Sequence, residues 1–501
     1  MNKLIAIGWL TLLCALAGGE CPGEMDMMGD DMMDMTDMTP DMSNDNDSPA
    51  PMPPPPPPSG ACCFIDTSCF DGIEDDCDAA GGSFNEGEDC DGFSCPAPSM
   101  EDVRELAHAL EGIFREDAHY YLRVVSIVGR EYWDLNGDDP IWTDELLGRN
   151  GQTLNPDGEL TTRTYVERYK VIRAAQALMR AAENADPPLT MEQLNSTLGF
   201  AQTIQAYSLL LVANLQFSNG IIPETALDDD DPETSALSYA DSLQHIADLL
   251  DAAAVNLTNG GATFIFDLSH GFGGFDRPAT FRQVNRALSA RVRLYQGNKP
   301  GSISGIAGSF FNINGSLSTG PGHSYSIETR NPLYNRPDVD LFTAHADFIA
   351  DAAGGDIRVG NKTRMYVATP TFFVPVSFEG LVGSFQVEMP SSSTASIPII
   401  RNEELILIYA EAQIGSDVNE VLAGINRVRN AAGLGNYLGA TDDASLLNEV
   451  LRQRRYSLFG EGHRWVDLRR AGKINQINVD RVGDVVHTEF PRPSANVLSG
   501  L

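Results

Sequence analysis

Positive charge is nearly missing from the start of the chain: after Lys3 no lysine or arginine occurs until Arg104, while about twenty aspartates and glutamates fall in the same interval. Over all 501 residues the balance is 34 basic against 70 acidic side chains, a net charge of −36. A surface this poor in cations has little with which to displace counterions from phosphates, which argues against nucleic acid as a partner and against anionic lipid. Long apolar runs are also scarce, and beyond the first residues no segment reads as a bilayer span. Cysteine is absent after Cys95. The portion beyond Glu101, about four hundred residues, is long enough for one large domain built on a hydrophobic core.

The opening residues, MNKLIAIGWLTLLCALAGG, combine Lys3, a short apolar run and an Ala15-Leu16-Ala17 site. That is the pattern of an export signal over residues 1–21, too short and wrongly flanked for a stable span. Simple cleavage after Ala17 competes with lipidation at Cys21, which follows Glu20 where a small residue is usual. Residues 22–59 are a Met/Asp-rich run followed by PAPMPPPPPPS (49–59). With so little branched or aromatic surface to offset the cost of ordering, this reads as a disordered, partly extended spacer. Copper binding by the methionine thioethers is the competing reading, but the interleaved carboxylates make a solvated spacer the simpler account.

Residues 60–96 hold Cys62, Cys63, Cys69, Cys77, Cys90 and Cys95. A module so small cannot be held by apolar burial alone, so in an exported chain six cysteines read as a disulfide framework. Fifteen pairings are formally open. Zinc is the alternative, disfavoured because no two cysteines have the two-residue spacing of a zinc knuckle and no histidine is near. The strings "GACC", "GG" and the final "CP" resemble a short cysteine-rich module of secreted bacterial proteins, whose role here would be a stapled spacer or an adhesion knob.

Past residue 400 the apolar positions recur with a helical period. Leu405, Ile408, Tyr409 and Ala412 fall at i, i+3, i+4, i+7; Leu422, Ile425 and Val428 mark a second helix, with Gly433 as its C-cap. Leu447, Val450, Leu451 and Leu458 predict a third, from Ser445 to about Phe459. Around and after it stand Arg454, Arg455, Glu461, Arg464, Trp465, Asp467 and Arg469. Clustered arginines and carboxylates invite an active-site reading, but guanidinium forks clamping helix ends and opposing carboxylates explain them more simply. Farther upstream, Ala287, Ala290, Leu294 and Tyr295 give the small-large stripe of a tetratricopeptide-like hairpin, where close helix approach needs a missing side chain.

The wording of these segments carries a family resemblance. RNEELILIYAEAQIG (401–415), INRVRNAAGLGNYL (425–438) and LLNEVLRQRRYSLFGEGHRWVDLRRAGK (446–473) resemble the C-terminal signature of the SusD/RagB family, and FPRPSANVLSG (490–500) resembles its closing segment. Residues 189–226 look like the family's long helix pair, and 239–257 and 279–298 like the two helices that come next. The sequence departs at Ser457, where a glutamate usually precedes the leucine, which places one ion pair in question. The resemblance spans 101–501 and implies a mainly α fold with tetratricopeptide-like helix hairpins and a loop-rich insertion. It also implies a non-catalytic surface protein that binds oligosaccharide or peptide nutrient for a SusC-like TonB-dependent transporter of the outer membrane. No cofactor is implied.

The family keeps no fixed ligand residues, so ligand contacts are read from chemistry. Sugar rings present C–H faces that pack on aromatics while polar neighbours satisfy the hydroxyls. REYWDLNGDDPIWTDE (130–145) offers Tyr132, Trp133 and Trp142 among acidic and amide groups, and HGFGGFDRP (270–278) offers His270, Phe272 and Phe275 on a glycine loop. The Gly/Ser/Pro-rich stretch 300–400, expected to be irregular with a few strands, adds Tyr325 or Tyr334. Core capping is the competing reading for the tryptophans. Asp134, Asn136, Asp138 and Glu145 fall at positions 1, 3, 5 and 12 of a calcium ladder, although Asp139 replaces the usual glycine at position 6. Two other classes remain open: a tetratricopeptide-like scaffold for a peptide or protein, and a glycoside hydrolase, for which no motif singles out the required carboxylate pair.

Overall fold

The computed structural model describes residues 57–80, 82–137, 139–227, 232–337, 339–369, 372–494 and 497. The export signal, Cys21 and most of the acidic and proline-rich spacer lie outside the described residues. The chain divides into two units, Met1–Ala97 and Pro98–Leu501.

In the first unit, β1 (Ser59–Cys63) is the central strand of an antiparallel sheet between β2 (Cys69–Ile73) and β3 (Ser83–Glu86), with α1 (Glu74–Ala80) between the outer strands in sequence. The six cysteines pair as Cys62–Cys77, Cys63–Cys95 and Cys69–Cys90. These bonds tie β1 to α1, β1 to the end of the module, and β2 to the loop after β3. Cys63, Cys69 and Cys95 bring their sulfurs together, but each is spent in a disulfide, which leaves no thiolate for zinc. One glycine of the "GG" string has a steric reason. A Cβ on Gly82 would lie 2.3 Å from the Cys62 sulfur.

The second unit is a succession of packed helices. In chain order these are α2 (Met100–Arg115), α3 (Ala118–Val128), α4 (Glu159–Glu183), α5 (Met191–Gln216), α6 (Tyr239–Thr258), α7 (Pro278–Tyr295) and α8 (Lys299–Gly308). After the loop-rich insertion and its short α9 (Ala346–Ala350) and α10 (Ile357–Lys362) come α11 (Asn402–Gln413), α12 (Val418–Ala431), α13 (Asp443–Ser457) and α14 (Arg464–Arg470). Each long helix packs on the next, α4 on α5, α5 on α6, α6 on α7, α7 on α8, and α8 on α11, which also carries α12 and α13. Local chemistry sets the ends: Ser99 and Thr190 form capping boxes with Asp102 and Gln193, and Gly433, at φ +79°, follows α12 in the left-handed region.

Small residues set the spacing between helices. A Cβ on Gly305 of α8 would meet the Ala290 amide nitrogen of α7 at 2.8 Å, and one on Gly424 of α12 would meet Ala410 Cβ of α11 at 2.9 Å. This is the close approach that Ala287 and Ala290 predict. Residues 189–226 differ from expectation, forming one 26-residue helix whose hairpin partner is α4, upstream. Met191–Asn219 is also apolar and long enough to cross a membrane, against the expectation that no segment after the signal is. With 89% of its apolar window buried in the body, it is the core helix of the array.

The arginine-rich end is a set of clamps. Arg291 grips Glu404 with two hydrogen bonds; Arg454 donates to Asp467 at 2.6 Å; Arg470 donates to Glu411 and Asp467. Ser457, at the position of the missing glutamate, donates to Glu403 and accepts from Arg358, so a neutral hydroxyl joins the two charges. The same segment reaches back to the first helices. Arg464 donates to the Gly129 carbonyl, the Gly460 amide to Glu131, Arg130 pairs with Asp480 at 2.9 Å, and the Phe490 amide donates to Leu215.

Candidate ligand-binding site

The strands of the body lie mostly in the insertion, as its composition predicts, but β4 (Tyr132–Asp134) comes from the loop after α3. It pairs with β6 (Phe342–Ala344), which pairs with β8 (Phe385–Val387) and then β7 (Thr363–Met365). Trp133 stands opposite Thr343, more than two hundred residues away in sequence. This pairing decides what the aromatics of 130–145 do. Tyr132 stacks near Phe342 and Phe459, and Trp133 lies against His345 at 4.6 Å between centroids. Both are buried, at 3% and 4% exposure. They are core side chains, which corrects their reading as an exposed platform.

Trp142 is also buried, at 7% exposure and edge-on to Tyr120, so it too is no exposed platform, but its edge reaches a cavity. It lies on the wall of a cavity of about 450 Å³ formed by the 134–142 turn on one side and residues 330–342 on the other. The two walls are joined by the Leu135 amide donating to Leu341 and the Leu341 amide donating to Asn136, each at 3.0 Å. Asn331 is fixed through its backbone amide to Ser393 and its side-chain amide to Ala395. Tyr334, half-buried, lies on the wall beside Arg330 and Pro332. The Arg123 guanidinium covers the Trp142 ring at 3.7 Å and stands 4.9 Å from the Phe342 ring, while pairing with Asp134. Burial pushes the Arg123 guanidinium down from its ordinary value. A cation sandwiched between aromatic faces is held by their quadrupoles as well as by its carboxylate. Arg336 hydrogen-bonds to Asp340 and holds that carboxyl below its usual range.

The other aromatic loop is packed, not free. A Cβ on Gly271 would fall 1.9 Å from the Gly322 carbonyl oxygen, so the glycine lets the 270–278 turn press onto β5 (Gly322–His323). Phe272 then packs on Phe281 and Phe275 on Phe310, both buried, and of the three candidates only His270 is exposed. Tyr325 is half-buried, its phenol pushed up to about 12 by burial, and is not among the residues lining the cavity at Trp142.

Among the described residues the calcium ladder is not assembled. Asp134 pairs with Arg123 and accepts from the Asn136 amides; Asn136 Oδ1 accepts from Leu341; the Glu145 carboxylate accepts from the Asn155 amide at 2.7 Å. Asp138 lies outside the described residues. Asp139, where the sharp turn needs glycine, caps the short turn Pro140–Trp142 through the Ile141 amide. Among the described residues no three histidine, cysteine or carboxylate ligands converge except the disulfide sulfurs.

Residues 356–497 match the SusD family. No curated protein sequence matches the chain. Among solved structures, a SusD superfamily protein from Bacteroides vulgatus superposes with a TM-score of 0.59 at 17% identity, covering 80% of this chain and 96% of that one. A laminarin-binding SusD-like protein gives 0.53 at 17% identity, covering 78% and 96%, and NanU of B. fragilis 0.53 at 15%, covering 80% and 94%. The helical body therefore has the SusD fold. Its residues 356–497 carry the sequence match to the SusD family, and the arginine-rich clamps of α13 and α14 fall inside that segment.

Proposed function

We propose that this chain is a non-catalytic binder of oligosaccharide, displayed on the cell surface and passing its ligand to a TonB-dependent outer-membrane transporter. The observation that carries the reading is the cavity at Trp142, built on a SusD fold from two loops that the helical frame holds together. Its walls mix Trp142, Tyr334 and Phe342 with amide and charged groups, the combination a sugar requires. Among the described residues the carboxylates on its wall are engaged: Asp134 with Arg123, Asp340 with Arg336, Asp139 with the Ile141 amide. Hydrolysis of a glycosidic bond asks for two uncommitted carboxyl groups flanking it, and this arrangement favours binding without turnover. Export, anchoring through Cys21 and a SusC-like partner belong to the same reading, with the disulfide module as a stapled spacer near the membrane. Peptide is the second ligand class, and calcium at the 134–145 turn would require Asp134 to leave Arg123.

The test is titration of the full chain with a panel of neutral oligosaccharides and peptides. Replacing Trp142 or Tyr334 by alanine should weaken oligosaccharide binding by on the order of 1–3 kcal/mol. Binding confined to peptides, cleavage of the glycan, or affinity indifferent to both substitutions would sink the proposal.

A further inference from the structure

A second cleft, of about 320 Å³, lies between α13, α14 and the turns at Asp351 and Asn478, and shares no lining residue with the cavity at Trp142. In a chain of net charge −36 it is locally cationic, lined by Arg452, Arg455 and Arg464. Arg455 is bound to Asp351 at 2.8 Å, through a carboxylate that is itself 58% exposed. Arg464 uses only its Nε, on the Gly129 carbonyl at 3.1 Å, and its two Nη groups have no protein partner among the described residues. Arg452 has none at all among them, and its side chain is exposed. The remaining carboxylate on the wall, Asp347, is taken by the Asn478 amide at 2.5 Å and lies 3.7 Å from His345.

Two guanidinium groups with uncommitted N–H donors therefore face one cleft, and one of them, Arg464, is half-buried. Burial, together with the neighbouring Arg455, holds Arg464 down at about 10 against the opposing pull of Glu131. A cation held beside another cation in a part-dry cleft is relieved by an anion. Guanidinium forks match a carboxylate with two parallel hydrogen bonds. The rest of the lining narrows the ligand: the amides of Asn448 and Gln476 offer donors and acceptors for hydroxyls, and Leu468 offers an apolar patch for ring C–H groups. The volume is near the lower end for small-molecule sites.

We propose that this cleft is a distinct binding site for a single acidic sugar residue, its carboxylate held by Arg452 and Arg464 and its hydroxyls by Asn448 and Gln476. The probe is D-glucuronate, with D-glucose and sulfate as controls, added to the full chain while the arginine side-chain Nε–Hε signals are followed by NMR. Glucuronate should shift the Arg452 and Arg464 signals saturably, and glucose should not. Arg452→Gln, which removes no contact within the described protein, should keep the melting temperature and weaken glucuronate at least fivefold; Arg452→Gln with Arg464→Gln should abolish it. Trp142→Ala should leave this response unchanged, so that failure of one site is told apart from failure of the other. No saturable shift, an equal response to glucose, or an affinity untouched by Arg452→Gln would overturn the proposal. Sulfate binding as tight as glucuronate would overturn the assignment to a sugar.

Discussion

Arg291 and Glu404 form a two-pronged ion pair inside the helix array, Nε to Oε1 at 2.7 Å and Nη2 to Oε2 at 2.5 Å, with both side chains withdrawn from water. Arg454 and His463 stand beyond the carboxylate at 3.9 and 3.7 Å. Removing one partner strands the other charge in the core. Arg291→Met or Glu404→Gln should each cost about 3–5 kcal/mol in urea unfolding of the body. The double variant should recover part of that loss, because it leaves no orphan charge.

The same pair fixes an acid limit. Burial alone would raise Glu404, but Arg291 and then His463 and Arg454 more than offset it and hold the carboxyl at about 2, against an ordinary 4.5. A depressed folded value gives stability that is complete above the ordinary value and lost as pH falls toward the folded one. The melting temperature should therefore fall steeply between pH 4.5 and 2, and less steeply in Glu404→Gln.

Glu131 acts in the opposite direction. Burial raises its carboxyl to about 7, only partly countered by the Gly460 amide. A raised folded value gives stability that is full below the ordinary 4.5 and lost as pH climbs through 7. Glu131→Gln, which keeps an acceptor for Gly460, should flatten the decline in melting temperature between pH 4.5 and 7. An unchanged slope would place the decline elsewhere.

Trp133 and Trp142 separate stability from binding. Trp133→Ala empties a core position and should cost about 3–5 kcal/mol of folding stability. Paired measurements of melting and of oligosaccharide affinity should place Trp133 on the first axis alone and Trp142, buried but on the cavity wall, on both.

Gly305 tests the helix spacing. A side chain there meets the Ala290 backbone on α7, which has no rotamer with which to yield. Gly305→Val should destabilise the body by about 1–3 kcal/mol, read by thermal unfolding.

The helices are legible in the sequence because their information is local: Leu405, Ile408 and Ala412 share one face whatever lies opposite, and a small residue at Ala290 implies a close neighbour. The clamps are legible in kind, since guanidinium groups beside carboxylates in an apolar frame must pair. The aromatic loop is not. Whether Trp133 faces water or core depends on its pairing with Thr343, and nothing in residues 130–145 records that partner. Trp142, buried like Trp133, still reaches the cavity wall, but the opposite wall comes from residues 330–342, of which only Tyr334 stands out in the sequence. Gly271 looks like freedom and proves to be contact, because a residue without a side chain serves both.

The contacts that join Gly129, Arg130 and Glu131 to residues 460–480 set an order on how this protein is made. Synthesis runs from the amino end, so α3 and the start of β4 are produced more than three hundred residues before the groups that satisfy them. Until Asp480 arrives, the guanidinium of Arg130 has no counter-charge to be buried with. The early helices must wait as an incomplete stack with exposed apolar faces, a state prone to aggregation. Completion is therefore a late, whole-body event. A nascent chain halted before residue 460 should remain soft to protease even though most of its helices have been made.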